Sequence, residues 1–217
     1  GGKDTQPVEV SDVNVDLSAD TLQGPFTIEG EFTSVGQTIK LDGKTGAILT
    51  DANSIQVNMD GEVKPLGLAG KYAGVVGLSE PYDVQGEVEV NISGLDEKIK
   101  NTPVKLGDDA KLKGMVTGSK NGVAVKDAVL EIAGNKFTGD IAAVSSPAKL
   151  TGKLTGNGTI NLDSMLRADV GKKDSAAAKG GFLPATIELP ASFEADLQLA
   201  VPGLVLRGET YKNVVVK

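Results

Sequence analysis

The sequence predicts an all-β protein: a strongly curved antiparallel sheet, shaped as a groove or an open sandwich, with one or two short helices. Three observations lead there. Apolar and polar residues alternate with period two through most of the chain, and turn residues fill the gaps between the alternating runs. Inside those runs one motif recurs: an apolar residue, a spacer, a glycine, a spacer and another apolar residue. It appears as "IEGEF" at Ile28–Phe32, "LAGKY" at Leu68–Tyr72, "VQGEV" at Val84–Val88, "LKGMV" at Leu112–Val116, "FTGDI" at Phe137–Ile141 and "LTGKL" at Leu150–Leu154.

Taken in order, "FTIEGEF" from Phe26 and "IQVNM" from Ile55 read as strands with one wet face. The longest run, "YDVQGEVEVNIS", puts Tyr82, Val84, Gly86, Val88, Val90 and Ile92 inward and Asp83, Gln85, Glu87, Glu89, Asn91 and Ser93 outward. One-sided burial of this kind favours antiparallel pairing. "SGLDEKIKNTP" predicts a short helix capped by Ser93, with Asp96 three residues on and a stop before Pro103. "LEIAGNKFTGDI" predicts a hairpin turning at Gly134-Asn135, and "KLTGKLTGNGTINL" another around Gly156-Asn157-Gly158. "LDSMLRADVG" predicts two helical turns after a cap at Asp163. Gly171–Gly181, "GKKDSAAAKGG", reads as a mobile linker. "FEADLQLAV" then returns to strand, with Phe193, Ala195, Leu197, Leu199 and Val201 inward.

The glycine spacings are uneven, so no fixed-period solenoid is predicted. Two related units are expected, 1–100 and 101–217. The opening Gly1-Gly2 and the strand-like end predict an excised piece of a longer, membrane-anchored protein.

Glycine inside a strand costs roughly 0.5–1 kcal/mol relative to Ala. Its repetition in phase with the apolar positions predicts bulges, bends or close backbone approach. The strands should bend toward their apolar side. Two arrangements satisfy such residues: a hollow that closes on itself as an ordinary sandwich or barrel core, and a groove that stays open to something oily. Aromatics are 4% of the chain and Trp is absent, so slim aliphatics line the inner face in either case.

The 217 residues carry 22 Lys+Arg against 29 Asp+Glu, a net charge of −7 that disfavours a nucleic-acid partner. Cys and His are both absent. That excludes cysteine nucleophiles, disulfides and Ser-His-Asp machinery, and no zinc site is expected. "LDGKTG" at Leu41–Gly46 is no P-loop, because six residues separate Gly36 from Gly43 where a P-loop has four. The adjacent pairs Asp96-Glu97 and Asp108-Asp109 read as solvated turns rather than acid/base pairs. No EF-hand run occurs, and "NIS" at Asn91 and "NGT" at Asn157 would be glycosylation sequons only under eukaryotic secretion. No catalytic residue, metal ligand or cofactor is predicted.

"GVAVKDAVLEIAGNKFTGDIAA", "KLTGKLTGNGTINLDSML" and, more weakly, Val8–Gly46 resemble the periplasmic repeats of AsmA-family proteins. Val123–Ile141 corresponds to the family's glycine-containing hairpin and Leu150–Leu166 to its closing segment. The insertion at Gly171–Gly181, followed by "LPATIELPASFEADLQLAVPGLVLRG", is similar too. The resemblance implies a periplasmic module of a Gram-negative bacterium, anchored to the inner membrane by a segment absent here. On that resemblance it would be a non-enzyme linked to outer-membrane biogenesis, and the family is related in architecture to TamB and to bridge-like lipid-transfer proteins. Phospholipid acyl chains would then lie in an apolar β-groove, and Ile28, Phe32, Val84, Val88, Leu130, Phe137, Ile141 and Leu154 are its expected lining. The alternative is a structural β-sandwich module of a surface protein or adhesin, holding no ligand.

Overall fold

The structure, a computed structural model, describes residues 10–34, 36–98, 105–145, 147–166 and 194–217. The expected linker at Gly171–Gly181 and Phe193 lie outside the described residues. The protein is all-β, with two single-turn α-helices and a 3-10 turn at Lys64–Leu66 among the described residues. Its contacts divide it into two units, one comprising the chain up to Ser93 with Lys111–Lys120, the other Gly94–Ala110 with Asn121–Lys217.

In the first unit, β1 (Val10–Ala19), β2 (Phe26–Ser34), β3 (Gln37–Leu49), β4 (Ser54–Val63), β5 (Leu68–Gly77) and β6 (Val84–Ile92) form an antiparallel meander, each paired with the next. β7 (Ala110–Ser119) follows β6 in the strand order. The sheet is open: beyond β1 no further strand is paired among the described residues. Period-two sequence is what allows this, since every second side chain reaches the same face. "LDGKTG" lies within β3, where Thr45 Oγ1 accepts the Phe26 N–H at 3.1 Å and donates to Gly46 O at 2.9 Å. Strand geometry, not a phosphate cradle, accounts for it. Tyr82 does not join the strand as its alternation predicts. It adopts φ 57° in the turn before Val84 and is half exposed, because Pro81 and the turn bonds Tyr82 N–Ser79 O and Gly77 N–Asp83 O claim the backbone first.

The second unit contains β8 (Gly122–Ile132), β9 (Asn135–Ser145), β10 (Ala148–Gly156), β11 (Thr159–Asn161), β12 (Glu194–Leu206) and β13 (Glu209–Val216). β8, β9 and β10 are antiparallel neighbours. The β8–β9 turn is Ala133-Gly134, both at positive φ, one residue earlier than the sequence suggests. Asn135 instead pairs with Ile132.

The Gly156–Gly158 segment makes no hairpin. β10 and β11 both run parallel to β12, while β13 pairs with β12 antiparallel. β13 overlaps both β10 and β11 along β12, so it occupies the opposite edge, and β10 and β11 follow one another along the same edge. Asn157 N–H donates to Lys136 O, keeping the chain on course rather than turning it back. Pro202, with no N–H to give, sits opposite Asn213 where the β12–β13 ladder is interrupted.

α1 (Leu95–Lys98) and α2 (Leu162–Met165) are one turn each. The cap of α2 is Asn161, whose side chain accepts the Ser164 N–H, and not Asp163. α2 closes the second unit's core of Phe137, Ile160 and Val201 by adding Leu162 and Met165.

Candidate functional site

Strand register decides which side chains share a face. Across the first unit, Leu17, Ile28, Gly43, Met59, Tyr72 and Val88 form one cross-strand row. Val15, Gly30, Leu41, Gly61, Gly70 and Val90 form the next. Phe32 faces Ile39 in β3, and Val84 faces Val76, which faces Ile55. The result is two adjacent rows of apolar residues and glycine that run through six strands, with Thr45 on the same face beside Val57 in the row beyond. Ile28 and Val88, distant in sequence, stand on one of these rows. The face is only partly covered: Leu17 is 64% exposed, while Ile28, Phe32, Val84 and Val88 are intermediate.

The glycines within this face have different causes. Gly74 and Gly86 oppose each other so closely that a side chain on either would strike the other's backbone. Tyr72 spans this place, its hydroxyl 3.0 Å from Val75 O and 3.2 Å from Gln85 O. Burial raises its pKa above the usual tyrosine value. Gly30 lies against Asn14 O and the Val15 Cα. Gly70, by contrast, has nothing nearer than Glu89 O at 3.8 Å to an added Cβ, so the expected close approach does not hold there.

In the second unit the remaining expected lining residues divide. Leu130 pairs with Phe137, and Leu154 lies between Gly139 and Leu199. All three pack into the cluster that α2 covers. Ile141 lies outside that cluster, opposite Gly152 and Val125. Gly139 allows its strand to press onto Lys153 O, where a side chain has no room.

The opposite face of the first unit is wet and mostly acidic. Asp16, Glu29, Asp42 and Asp60 stand directly opposite one another in four successive strands, and the row continues through Lys71 to Glu89. Lys71 bonds Asp60 at 3.6 Å, and Lys40 bonds Glu31 at the same distance. A hollow of about 650 Å³ lies over these residues. The acid row is a feature that sequence reasoning missed, since alternation gives the face but not the register. At its end Glu89 sits between Lys111 and Lys113, each 2.8 Å away, and these ammonium groups, Lys111 first, hold its carboxyl down to about 2. A smaller hollow, about 420 Å³, lies on the polar side of the second unit beside Lys126, Asp140, Lys153 and Asp196.

No group of acidic residues is placed to hold a metal ion among the described residues. No helix of the described residues is long and apolar enough to cross a membrane. The arrangement offers oily surface on one side and solvated charge on the other. Comparison with known proteins finds no matching family model, curated protein or solved structure.

Proposed function

We propose that this chain is a periplasmic module of an AsmA-like protein, working in outer-membrane biogenesis by carrying or shielding phospholipid acyl chains on the apolar face of its sheet. One observation carries the reading: in the first unit two adjacent cross-strand rows made only of apolar residues and glycine cross six strands, and their side chains remain partly exposed. A monomeric soluble protein rarely exposes so continuous a patch without using it. Acyl chains suit it because each methylene removed from water gains roughly 0.8 kcal/mol, so about ten contribute ~8 kcal/mol before ordering costs. Such a grip needs no catalytic group, and the head group stays in water. Full-length anchoring in the inner membrane belongs to the same reading.

Native mass spectrometry of the purified chain, with organic extraction of its bound material, tests this. Phospholipid should co-purify in sub-stoichiometric to equimolar amount. Repeated preparations that come out empty would leave a ligand-free structural module in its place.

A further inference from the structure

In the first unit the connections β1–β2, β3–β4 and β5–β6 all leave the same end of the sheet, because successive strands are antiparallel. Each brings a large apolar side chain into solvent. Leu22 is 98% exposed in the first, Leu49, the last residue of β3, is 53% exposed where the second begins, and Leu78 and Tyr82 are 40% and 52% exposed in the third. The three connections are also tied into one rim, by Ile48 N–H donating to Gln23 O and Leu78 N–H to Asn53 O, both 2.8 Å. Nothing in the fold requires leucine at the tip of a solvated turn.

We propose that this rim, marked by Leu22, Leu49, Leu78 and Tyr82, docks on an electrically neutral lipid surface, with the apolar tips entering the interface. Size separates this from a protein partner. Strands lie about 4.8 Å apart, so the three connections span about 20 Å, with a depth of one sheet, about 10 Å. That is on the order of 200 Å², far below the ~800 Å² per partner of a stable protein interface or dimer. Separate protrusions on a narrow edge need no complementary pocket in a fluid interface, and Tyr82 supplies the aromatic that favours the head-group level. Charge selects the kind of lipid. Asp20, Asp51, Glu80 and Asp83 border the tips, and Lys120 lies 2.7 Å from Glu80. This border repels anionic head groups and tolerates zwitterionic ones, whose ammonium faces outward.

The inference is independent of lipid uptake by the apolar sheet face, because docking and extraction are separate readouts. The test is flotation of the intact chain with phosphatidylcholine vesicles. The chain should float, replacing half the lipid by phosphatidylglycerol should lower the bound fraction several-fold, and Leu22→Asp with Tyr82→Asp should lower it at least tenfold. Leu66→Asp, in the connection at the opposite end, should float as the parent does. The chain has no Cys, so a fluorophore on the single thiol of Leu22→Cys gives a second readout should the double variant misfold. Its emission should shift to the blue on adding vesicles, and that of a fluorophore on Leu66→Cys should not. Absence of binding and of any shift, equal losses from the two ends, or a dimer in solution that Leu22→Asp dissociates would each overturn the proposal.

Discussion

Gly74 and Gly86 oppose each other across β5 and β6, and a Cβ built on Gly86 would lie 2.6 Å from the Gly74 Cα and against Ala73 O. This is the close backbone approach that a glycine within a strand permits and any other residue forbids. Gly70, four residues away on the same face of β5, lacks that constraint.

The two glycines therefore separate in a stability measurement. Gly86→Ala should destabilise by about 1–3 kcal/mol, because strands must move apart to admit the methyl. Gly70→Ala should be neutral or should gain up to ~1 kcal/mol, from the lower backbone entropy of the unfolded chain. Urea midpoints of the two variants check this, and equal losses would remove the distinction.

The acid row predicts an unusual sign. Asp42 stands directly between Glu29 and Asp60 in neighbouring strands, and like charges in that position oppose pairing. Asp42→Asn should raise stability by about 0.2–1 kcal/mol at neutral pH. Raising the salt should erase most of the gain, since exposed charges are screened. Denaturant melts at low and high salt are the measurement.

Asp163 binds the turn between β12 and β13. Its carboxylate accepts the Arg207 N–H at 2.6 Å and the Gly208 N–H at 2.8 Å, and these bonds, that of Gly208 first, lower its pKa. A carboxylate lowered in the folded state stabilises fully above its unfolded pKa of about 3.9 and loses that contribution as pH falls through the lower folded value. The parent should therefore be more stable than Asp163→Asn at pH 6, and the gap should close progressively below about pH 4. A gap independent of pH would show that the carboxylate is not responsible.

Phe137 and Leu17 contrast a packed and an open apolar position. Phe137 is 7% exposed at the centre of the cluster closed by α2, so Phe137→Ala should cost about 3–5 kcal/mol. Leu17→Ala, at a largely exposed site, should stay within about 0.5 kcal/mol. Thermal or denaturant unfolding of both tests whether the apolar positions of the two units differ in kind.

Much of this architecture was legible in the residues. Alternation gave β2, β4 and β6 and their apolar sides, and placed Ile28, Phe32, Val84 and Val88 on inward positions, because period two follows from strand geometry alone. Register was not legible. Nothing in the letters says that Asp16, Glu29, Asp42 and Asp60 stand opposite one another, since that depends on bulges such as the one between Ser11 and Asn14. The segment around Gly156 misled for a related reason. Its glycines suit a hairpin, yet β12, far along the chain, offers parallel partners to both sides of it. Asp163 is a residue type that suits a cap, and Asn161 takes that role because the helix begins two residues sooner. The cluster formed by Phe137 with α2 was invisible for the same cause: tertiary closure, not periodicity, separates a covered apolar position from an open one.

The central claim is that the first unit's apolar face holds acyl chains, and site-specific photocrosslinking in cells tests it most directly. A photoreactive residue placed singly at Ile28, Phe32 or Val88 should yield lipid adducts, while one at Glu29 or Glu87, on the wet face, should not. Adducts from neither face, or equal adducts from both, would contradict the account.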